Sequence, residues 1–316
     1  MAADISKLDP QAKAILDMMA EQEGPKMSDL PPPEARAMYK AMGQMMEPQD
    51  LPIGKVEDRT IPGPGGDIPI RLYTPVAADS GLPLILFFHG GGWVIGDLES
   101  HDALCRTLAN EVGAKVVAVD YRLAPENKFP AAVEDCYAAL KWAEAHAGDI
   151  GADANRIAVA GDSAGGNLAA VIAQKAKAEK GPALAMQLLI YPVTDRVASR
   201  QSYVDCAEGF LLEKEGMDWF YDCYMDADTD PADPALSPLR AADLSGLPPA
   251  YVVTAGFDVL RDEGTEYAAN LKAAGVPVTH VNYDGMIHGF FNMQNVLAVS
   301  KPAIQDAAAA LKAAFA

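Results

Sequence analysis

Cysteine is scarce in this sequence, and the four that it holds are widely separated. No C-x-x-C pair occurs among them, so a zinc or dithiol redox site of that kind is excluded. Isolated cysteines in a chain of 316 residues are mostly buried free thiols. We expect that state for all of them, namely Cys105, Cys136, Cys206 and Cys223.

Long apolar runs and positive charge are also scarce. No apolar run approaches the roughly 18 residues of a membrane span, and the N-terminus lacks the cationic start and apolar core of a signal peptide. We therefore expect a cytoplasmic protein. The 25 lysines and arginines stand against 44 aspartates and glutamates, a net charge of −19. A surface this acidic repels phosphate backbones and anionic lipids, so neither nucleic acid nor a membrane is an expected partner.

Strand-like and helix-like segments alternate along most of the chain. Residues 56–61 and 68–73 flank the turn-rich PGPGGD and predict a hairpin. From residue 82 onward, six apolar strands alternate with helical patterns, from LPLILFF at 82–88 to VTHVNYDG at 278–285. We predict an α/β fold with an open, mostly parallel sheet of about eight strands flanked by helices. In such a sheet, the functional residues lie beyond the carboxyl ends of the strands.

Two helical segments fall outside this alternation. Residues 1–50 predict N-terminal helices, and residues 197–228 are an aromatic, acidic insertion. We expect both segments to form a helical cap. The α/β domain itself is then built from residues 51–196 and 229–316.

A G-x-S-x-G motif, GDSAG at 161–165, follows the apolar strand RIAVA and opens a helical pattern. This is the strand, turn and helix context in which such a motif presents a nucleophilic serine. Small residues at 161, 165 and 166 permit a turn tight enough to raise the Ser163 hydroxyl. The competing interpretation is a glycine-rich turn whose serine only caps the helix.

A serine hydroxyl needs a base to take its proton near neutral pH. His288 lies in the loop DGMIHGF, just past the last predicted strand and at the edge where such a base is required. His101, His146 and His280 are predicted to be structural or solvent-exposed.

An imidazole base in turn needs a carboxylate to orient it. Asp258 follows the predicted strand AYVVTAG by two residues. Three alternatives remain. Asp262 and Glu263 fall at a predicted helix start, where acidic residues are favoured in any case, and Asp284 lies only four residues before His288.

The run His89-Gly90-Gly91-Gly92 ends the strand LPLILFF. Its glycines allow the N–H groups of Gly91 and Gly92 to face one point, and with the N–H of Ala164 they would make three donors to an oxyanion. The run lacks the lysine and the spacing of nucleotide-binding loops. His89 is expected to brace the loop.

Five segments together resemble the bacterial hormone-sensitive-lipase-like esterases, often called family IV. They are HGGGWVIGDLESHD (89–102), YRLAPE (121–126), GDSAGGN (161–167), FDVLRDEG (257–264) and DGMIHGF (284–290). The resemblance covers about residues 50–315. It implies an α/β-hydrolase fold with a helical cap, hydrolysis of carboxylic esters, no cofactor or metal, and a possible homodimer. By position it assigns the catalytic triad to Ser163, Asp258 and His288, and the oxyanion hole to Gly91, Gly92 and Ala164.

A cap narrows access to the site, and the resemblance implies a small-molecule ester with a short to medium acyl chain. The pocket candidates adjoin the catalytic loops or lie in the predicted cap: Trp93, Tyr191, Phe210, Leu211, Met286, Ile287, Met42 and Met45. The alternative for the methionines is that they only pack the N-terminal helices together. At the level of function, the alternatives are amide hydrolysis and a non-catalytic binding protein on the same fold.

Overall fold

The sheet predicted from the alternation of strands and helices is present in the computed structural model, which describes residues 3–21, 24–78 and 80–316. The strand order is β1-β2-β4-β3-β5-β6-β7-β8. The first two strands form the predicted hairpin, β2 pairs antiparallel with β4, and every other neighbouring pair is parallel. The strands are β1 (Lys55–Gly63), β2 (Gly66–Thr74), β3 (Leu82–Phe88), β4 (Lys115–Val119), β5 (Ala152–Asp162), β6 (Met186–Ile190), β7 (Ala250–Phe257) and β8 (Val278–Ile287). The prediction of an α/β fold with a mostly parallel sheet is confirmed.

Helices flank this sheet and begin or end where the sequence supplies a cap. Asp9 accepts the N–H groups of Gln11 and Ala12 at the start of the first helix, and the third helix ends at Gly113 with φ +69°. The helices are α1 (Pro10–Glu21), α2 (Pro32–Met46), α3 (Asp102–Val112), α4 (Ala131–Ala145), α5 (Ala164–Glu179), α6 (Ser202–Asp205), α7 (Lys214–Tyr224), α8 (Arg261–Ala273) and α9 (Ser300–Phe315).

The core lies between the central strands and their helices. β4 and β6 are buried along their whole length, and β3 is buried at all but one position, as expected of parallel strands that are covered on both faces. Lys115 is the polar residue of the otherwise apolar β4. Its amine donates a hydrogen bond to the Thr74 hydroxyl over 2.8 Å. All four cysteines are free thiols. Three are buried as predicted, and Cys223 is half-buried.

The two segments outside the alternation contact each other and the sheet domain. Lys26 pairs with Glu213 and Glu215 in the insertion, at 3.0 and 2.7 Å. The Arg36 guanidinium on α2 donates to the carbonyl of Val94 in the loop after β3, at 2.8 Å. Residues 1, 2, 22 and 23 of the predicted range 1–50 lie outside the described residues.

Among the helices that the structure describes, none has the length and apolar character needed to cross a bilayer.

Candidate active site

Ser163 occupies the sharp turn between β5 and α5. Its backbone has φ +56° and ψ −119°, a conformation that residues with a side chain rarely adopt. Gly161 and Gly165 make the turn possible, because a Cβ atom at either position would collide with a carbonyl oxygen. Trp93 and Tyr191 beside the site also have positive φ. Such backbone strain is characteristic of functional sites.

The three side chains predicted as a triad meet at the carboxyl ends of their strands. His288 Nε2 lies 3.0 Å from Ser163 Oγ, and His288 Nδ1 lies 2.7 Å from Asp258 Oδ2. Asp258 is fully buried, and its other oxygen accepts the N–H of Leu260 at 2.9 Å. The carboxylate therefore fixes the imidazole with Nε2 facing the serine, the arrangement that a general base requires.

The other candidate acids are engaged elsewhere. Asp262 accepts the N–H of Ser202 at 2.7 Å, which ties α6 to the start of α8. Glu263 is buried and accepts the N–H of Thr194 at 2.7 Å, and burial raises its pKa to about 8. Asp284 accepts a hydrogen bond from an asparagine side chain in β8. The hydrogen bond to His288 thus goes to the predicted acid.

The histidines predicted to be structural bind local partners. His146 Nδ1 donates to the carbonyl of Trp142 at 2.9 Å, and His280 Nε2 lies 2.9 Å from the Thr254 hydroxyl. His101 is buried near the start of α3, and its Nε2 lies 3.2 Å from the Asp162 carboxylate.

The HGGG run forms a loop whose N–H groups are available to a ligand. Gly91 and Gly92 have φ of +112° and +57°, conformations that favour glycine. Within the described part of the chain, the N–H groups of Gly91, Gly92 and Ala164 donate to no acceptor. The ring of Phe220 on α7 packs against Gly92 so closely that a Cβ atom there would collide with it.

His89 braces this loop, as its sequence context predicts. Its Nδ1 lies 2.8 Å from the Gly90 carbonyl, and its ring stacks on Tyr121 with centroids 4.3 Å apart. The Tyr121 hydroxyl donates to the His89 carbonyl at 2.8 Å. Burial lowers the pKa of His89 to about 4, so the ring is neutral near pH 7.

Asp162 is a buried carboxylate that sequence reasoning overlooked. It accepts the N–H of Gly90 at 2.9 Å and the side-chain amide of Asn292 at 3.1 Å, and His101 Nε2 lies within 3.2 Å. Burial opposes its ionisation, but the neighbouring histidines, His101 first among them, outweigh that effect and hold the pKa of Asp162 below the usual value. The signal was its place within GDSAG, immediately before the serine. No sequence signal marks Asn292.

The pocket candidates beside the loops are buried, and two of them contact the predicted base or α7. The Tyr191 ring is tilted against His288 with centroids 4.6 Å apart. Trp93 stacks on Tyr224 of α7 at 4.4 Å and is fully buried, a bracing position for the HGGG loop. Two further candidates are buried at the end of β8, Met286 and Ile287.

The pocket candidates in the insertion contact the segments that carry the predicted acid and the predicted base. Phe210 packs against Phe257, the residue before the predicted acid, with ring centroids 5.2 Å apart. Leu211 lies beside Gly289, the residue after the predicted base. Thus the insertion contacts the HGGG loop and the segments that carry the predicted acid and the predicted base.

The N-terminal segment also reaches the histidine loop, but its described methionines are at most half-buried. The Asp9 N–H donates to the Gly285 carbonyl at 3.0 Å, in the segment that leads to His288. Met42 is half-buried, whereas 68% of Met45 is exposed on α2. That exposure does not support a place for Met45 in a pocket wall.

Within the described ranges, no group of three or more His, Cys, Asp or Glu side chains is arranged to hold a metal ion.

Comparison with known proteins places this geometry in a family. A protein-family profile described as an alpha/beta hydrolase fold matches residues 85–292. The carboxylic ester hydrolase LipN of Mycobacterium tuberculosis is 47% identical over 285 residues, which cover 88% of this chain and 75% of LipN. The ethyl acetate hydrolase of Pseudomonas putida is 41% identical over 236 residues, which cover 74% of each chain.

A solved structure has the same fold over almost the whole chain. LAE6, an alpha/beta hydrolase enzyme from the metagenome of Lake Arreo in Spain, was crystallised as a serine-to-alanine mutant. It superposes with a TM-score of 0.95 at 43% identity, covering 98% of this chain and 99% of LAE6. The family predicted from the five sequence motifs is therefore confirmed: the chain belongs to the hormone-sensitive-lipase-like (family IV) α/β-hydrolases, and it is a carboxylic ester hydrolase.

Proposed function

We propose that the chain hydrolyses esters of short- to medium-chain carboxylic acids through an acyl-enzyme on Ser163. The hydrogen-bonded series Asp258, His288 and Ser163 carries this proposal, with separations of 2.7 and 3.0 Å. An imidazole held at that distance can take the hydroxyl proton without any movement of the backbone.

In the first step, His288 Nε2 takes the proton of Ser163 as the serine oxygen attacks the ester carbonyl carbon. The resulting tetrahedral intermediate collapses when its bond to the alcohol oxygen breaks, and His288 returns the proton to that oxygen. Water then repeats the sequence on the acyl-enzyme and releases the acid. The charge of Asp258 stabilises the imidazolium in both halves of the reaction.

The negative charge that develops on the carbonyl oxygen requires donors that are already oriented. The N–H groups of Gly91, Gly92 and Ala164 are suited to this role because they have no partner among the described residues. The Ala164 N–H is at the first turn of α5, where the helix dipole also favours an anion.

The size of the acyl group is proposed from the surroundings of the site. Phe210, Leu211 and Phe220 of the insertion pack onto the loops of the site, and we expect them to limit the length of the acyl chain. The Pseudomonas putida relative is an ethyl acetate hydrolase, which supports a small substrate for this chain.

A panel of p-nitrophenyl esters from acetate to palmitate tests the proposal. We expect the largest kcat/KM among the short to medium chains, and Ser163→Ala should lower kcat by roughly 10⁴–10⁶. A fluorophosphonate probe should label the wild type at Ser163 and leave the variant unlabelled. Full activity in the variant would refute the acyl-enzyme, and a maximum at palmitate would refute the proposed chain length.

A further inference from the structure

One carboxylate connects the turn that carries the nucleophile with the HGGG loop. Asp162 directly precedes Ser163, and its Oδ1 accepts the N–H of Gly90 at 2.9 Å. The loop backbone can come this close to the Asp162 carboxylate only with glycine at position 90, because a Cβ atom there would lie 2.6 Å from Asp162 Oδ2. The last residue of β5 thus holds the first glycine of the loop through a charge-assisted hydrogen bond, and the same N–H also lies 3.2 Å from His101 Nε2.

The second oxygen of this carboxylate is held from two other directions. Asn292, in the short helical turn Phe290–Asn292 after His288, donates to Oδ2 at 3.1 Å. His101 Nε2 lies 3.2 Å from the same oxygen, and its Nδ1 lies 3.0 Å from the Ser100 hydroxyl. Asp162 is only 2% exposed, so these partners leave it little freedom to move.

The glycines that follow have no side chain to anchor them. Gly91 and Gly92 both have positive φ, and glycine adopts many backbone conformations at little cost. The Gly91 carbonyl accepts the N–H groups of Val94 and Ile95, which holds the far side of the loop, and the hydrogen bond at Gly90 connects the loop to the serine turn. Because Asp162 and Ser163 are adjacent, this contact ties the position of the loop to that of the hydroxyl.

We propose that Asp162 is a positioning residue, which fixes the N–H groups of Gly91 and Gly92 at their distance from the Ser163 hydroxyl. The inference rests on the proposed function, because it assumes that these N–H groups stabilise the oxyanion. Asp162 touches neither the substrate nor the reacting atoms in this role, and it acts through the loop.

The alternative is that Asp162 only stabilises the fold. A positioning role and a purely structural role predict different kinetics, because only the positioning role acts on the tetrahedral species. A misplaced oxyanion loop weakens binding of the tetrahedral species and leaves ester binding nearly unchanged, so kcat decreases while KM does not. A boronic acid that forms a tetrahedral adduct with the serine reports the same loss at equilibrium.

Asp162→Ala tests this directly, with hydrolysis of p-nitrophenyl butyrate and inhibition by phenylboronic acid as the measurements. We expect kcat to decrease about 10²-fold, similar to the loss of one oxyanion donor, with KM within about threefold of the wild type. The inhibition constant of the boronic acid should rise by about the same factor as kcat decreases. Asp162→Asn should recover part of both losses, because its amide oxygen can still accept the Gly90 N–H.

Asp135→Asn is the matched control. Asp135 is also buried and accepts hydrogen bonds from Arg122, but it contacts neither the HGGG loop nor the triad. This variant should lower the melting temperature and leave kcat and boronic acid inhibition unchanged. A folded Asp162→Ala enzyme with wild-type kcat, or with reduced kcat and unchanged boronic acid inhibition, would overturn the proposal.

If Asp162→Ala does not fold, Asn292→Ala makes the same test, because it leaves the carboxylate in place and removes one of its donors. We expect paired losses of about threefold to tenfold in kcat and in boronic acid affinity, and an unchanged enzyme would contradict the inference. Labelling of wild-type Ser163 by a fluorophosphonate distinguishes failure of the proposed function from failure of the positioning role of Asp162. Labelling together with unaffected variants refutes only the role of Asp162, whereas an unlabelled wild type refutes the proposed function.

Discussion

Glu47, just after α2, places a carboxyl group inside the protein beside other acidic residues. It is 4% exposed, and its Oε1 has no hydrogen-bond partner among the described residues. Burial, with the nearby charges of Asp162 and Asp102, raises its pKa to about 9. The group is therefore protonated near pH 7.

This burial makes stability depend on pH in a definite direction. Between pH 4.5, the ordinary pKa of the group, and about 9, the folded state keeps a proton that the unfolded state releases. Its stabilising contribution is therefore complete below pH 4.5 and is lost as the pH rises, by about 1.4 kcal/mol for each unit. Glu47→Gln removes this dependence, so we expect the variant to unfold at a higher urea concentration than the wild type at pH 8. At pH 5 the difference should be small.

Urea titrations across this pH range measure the effect. Glu208→Gln is the control, because Glu208 is exposed and should show the pH dependence of the wild type. Equal pH dependence in the wild type and in Glu47→Gln would mean that the Glu47 carboxyl ionises normally in the folded protein.

Individual site residues can be predicted from the sequence when their position relative to a predicted strand marks them. Ser163, Asp258 and His288 each follow a predicted strand, and this position is enough to bring them to one edge of the sheet. Glu47 and Asn292 could not be found in this way. Their surroundings consist of residues that lie far away in the sequence, so only the folded chain reveals their partners.

At the scale of elements, α7 supplies part of the wall above the HGGG loop. Phe220 packs on Gly92, and Tyr224 one turn later stacks on Trp93. The helix thereby covers the loop that is proposed to bind the oxyanion. Its aromatic residues were visible in the sequence, but which of them faces the loop depends on how the helix is rotated and docked.

Phe220→Ala should open space beside this loop and shift the preference towards longer acyl chains. A methylene group in an apolar pocket changes kcat/KM by about 10-fold or more. We expect the ratio of kcat/KM for the octanoate over the acetate ester to increase by about that factor. Rates on the p-nitrophenyl ester panel measure the ratio.

Met217→Ala provides the comparison, since Met217 is a buried apolar side chain on the same helix. It should lower stability through the cavity it leaves and keep the chain-length preference of the wild type. A Phe220→Ala enzyme with unchanged preference would show that α7 does not border the acyl group.

The boundaries of elements follow from the sequence where a cap or a turn residue marks them. α1 begins after Asp9 and α3 ends before Gly113, and both residues are recognisable in the sequence. β8 extends to Ile287, two residues past its predicted end, through residues that are buried beside β7. That extension depends on pairing with the neighbouring strand, which is not visible in the residues of β8 alone.

For the whole molecule, the dominant electrostatic property is its net charge of −19. Charges of one sign repel each other more strongly in the folded protein than in the expanded unfolded chain. Salt at about 0.15 M reduces the screening length to about 8 Å, so we expect the melting temperature to rise by a few degrees between low salt and this concentration.

Calorimetry or fluorescence melts in sodium chloride measure this change. Asp50→Asn, Asp222→Asn and Asp228→Asn replace three exposed carboxylates and change the net charge from −19 to −16, that is −19 + 3. The triple variant should show a smaller rise than the wild type. A melting temperature that is independent of salt would mean that self-repulsion contributes little to stability. The same samples in analytical ultracentrifugation test the predicted homodimer.

The hydrogen bond from Asp9 to Gly285 joins two positions that are synthesised far apart in time. The ribosome produces Asp9 long before Gly285, so this contact of the N-terminal segment cannot form until most of the chain is translated. His288 follows Gly285 by three residues. The nascent chain therefore acquires the proposed base and this contact of its N-terminal segment at almost the same moment, and a chain that ends before residue 288 carries Ser163 without the imidazole proposed to activate it.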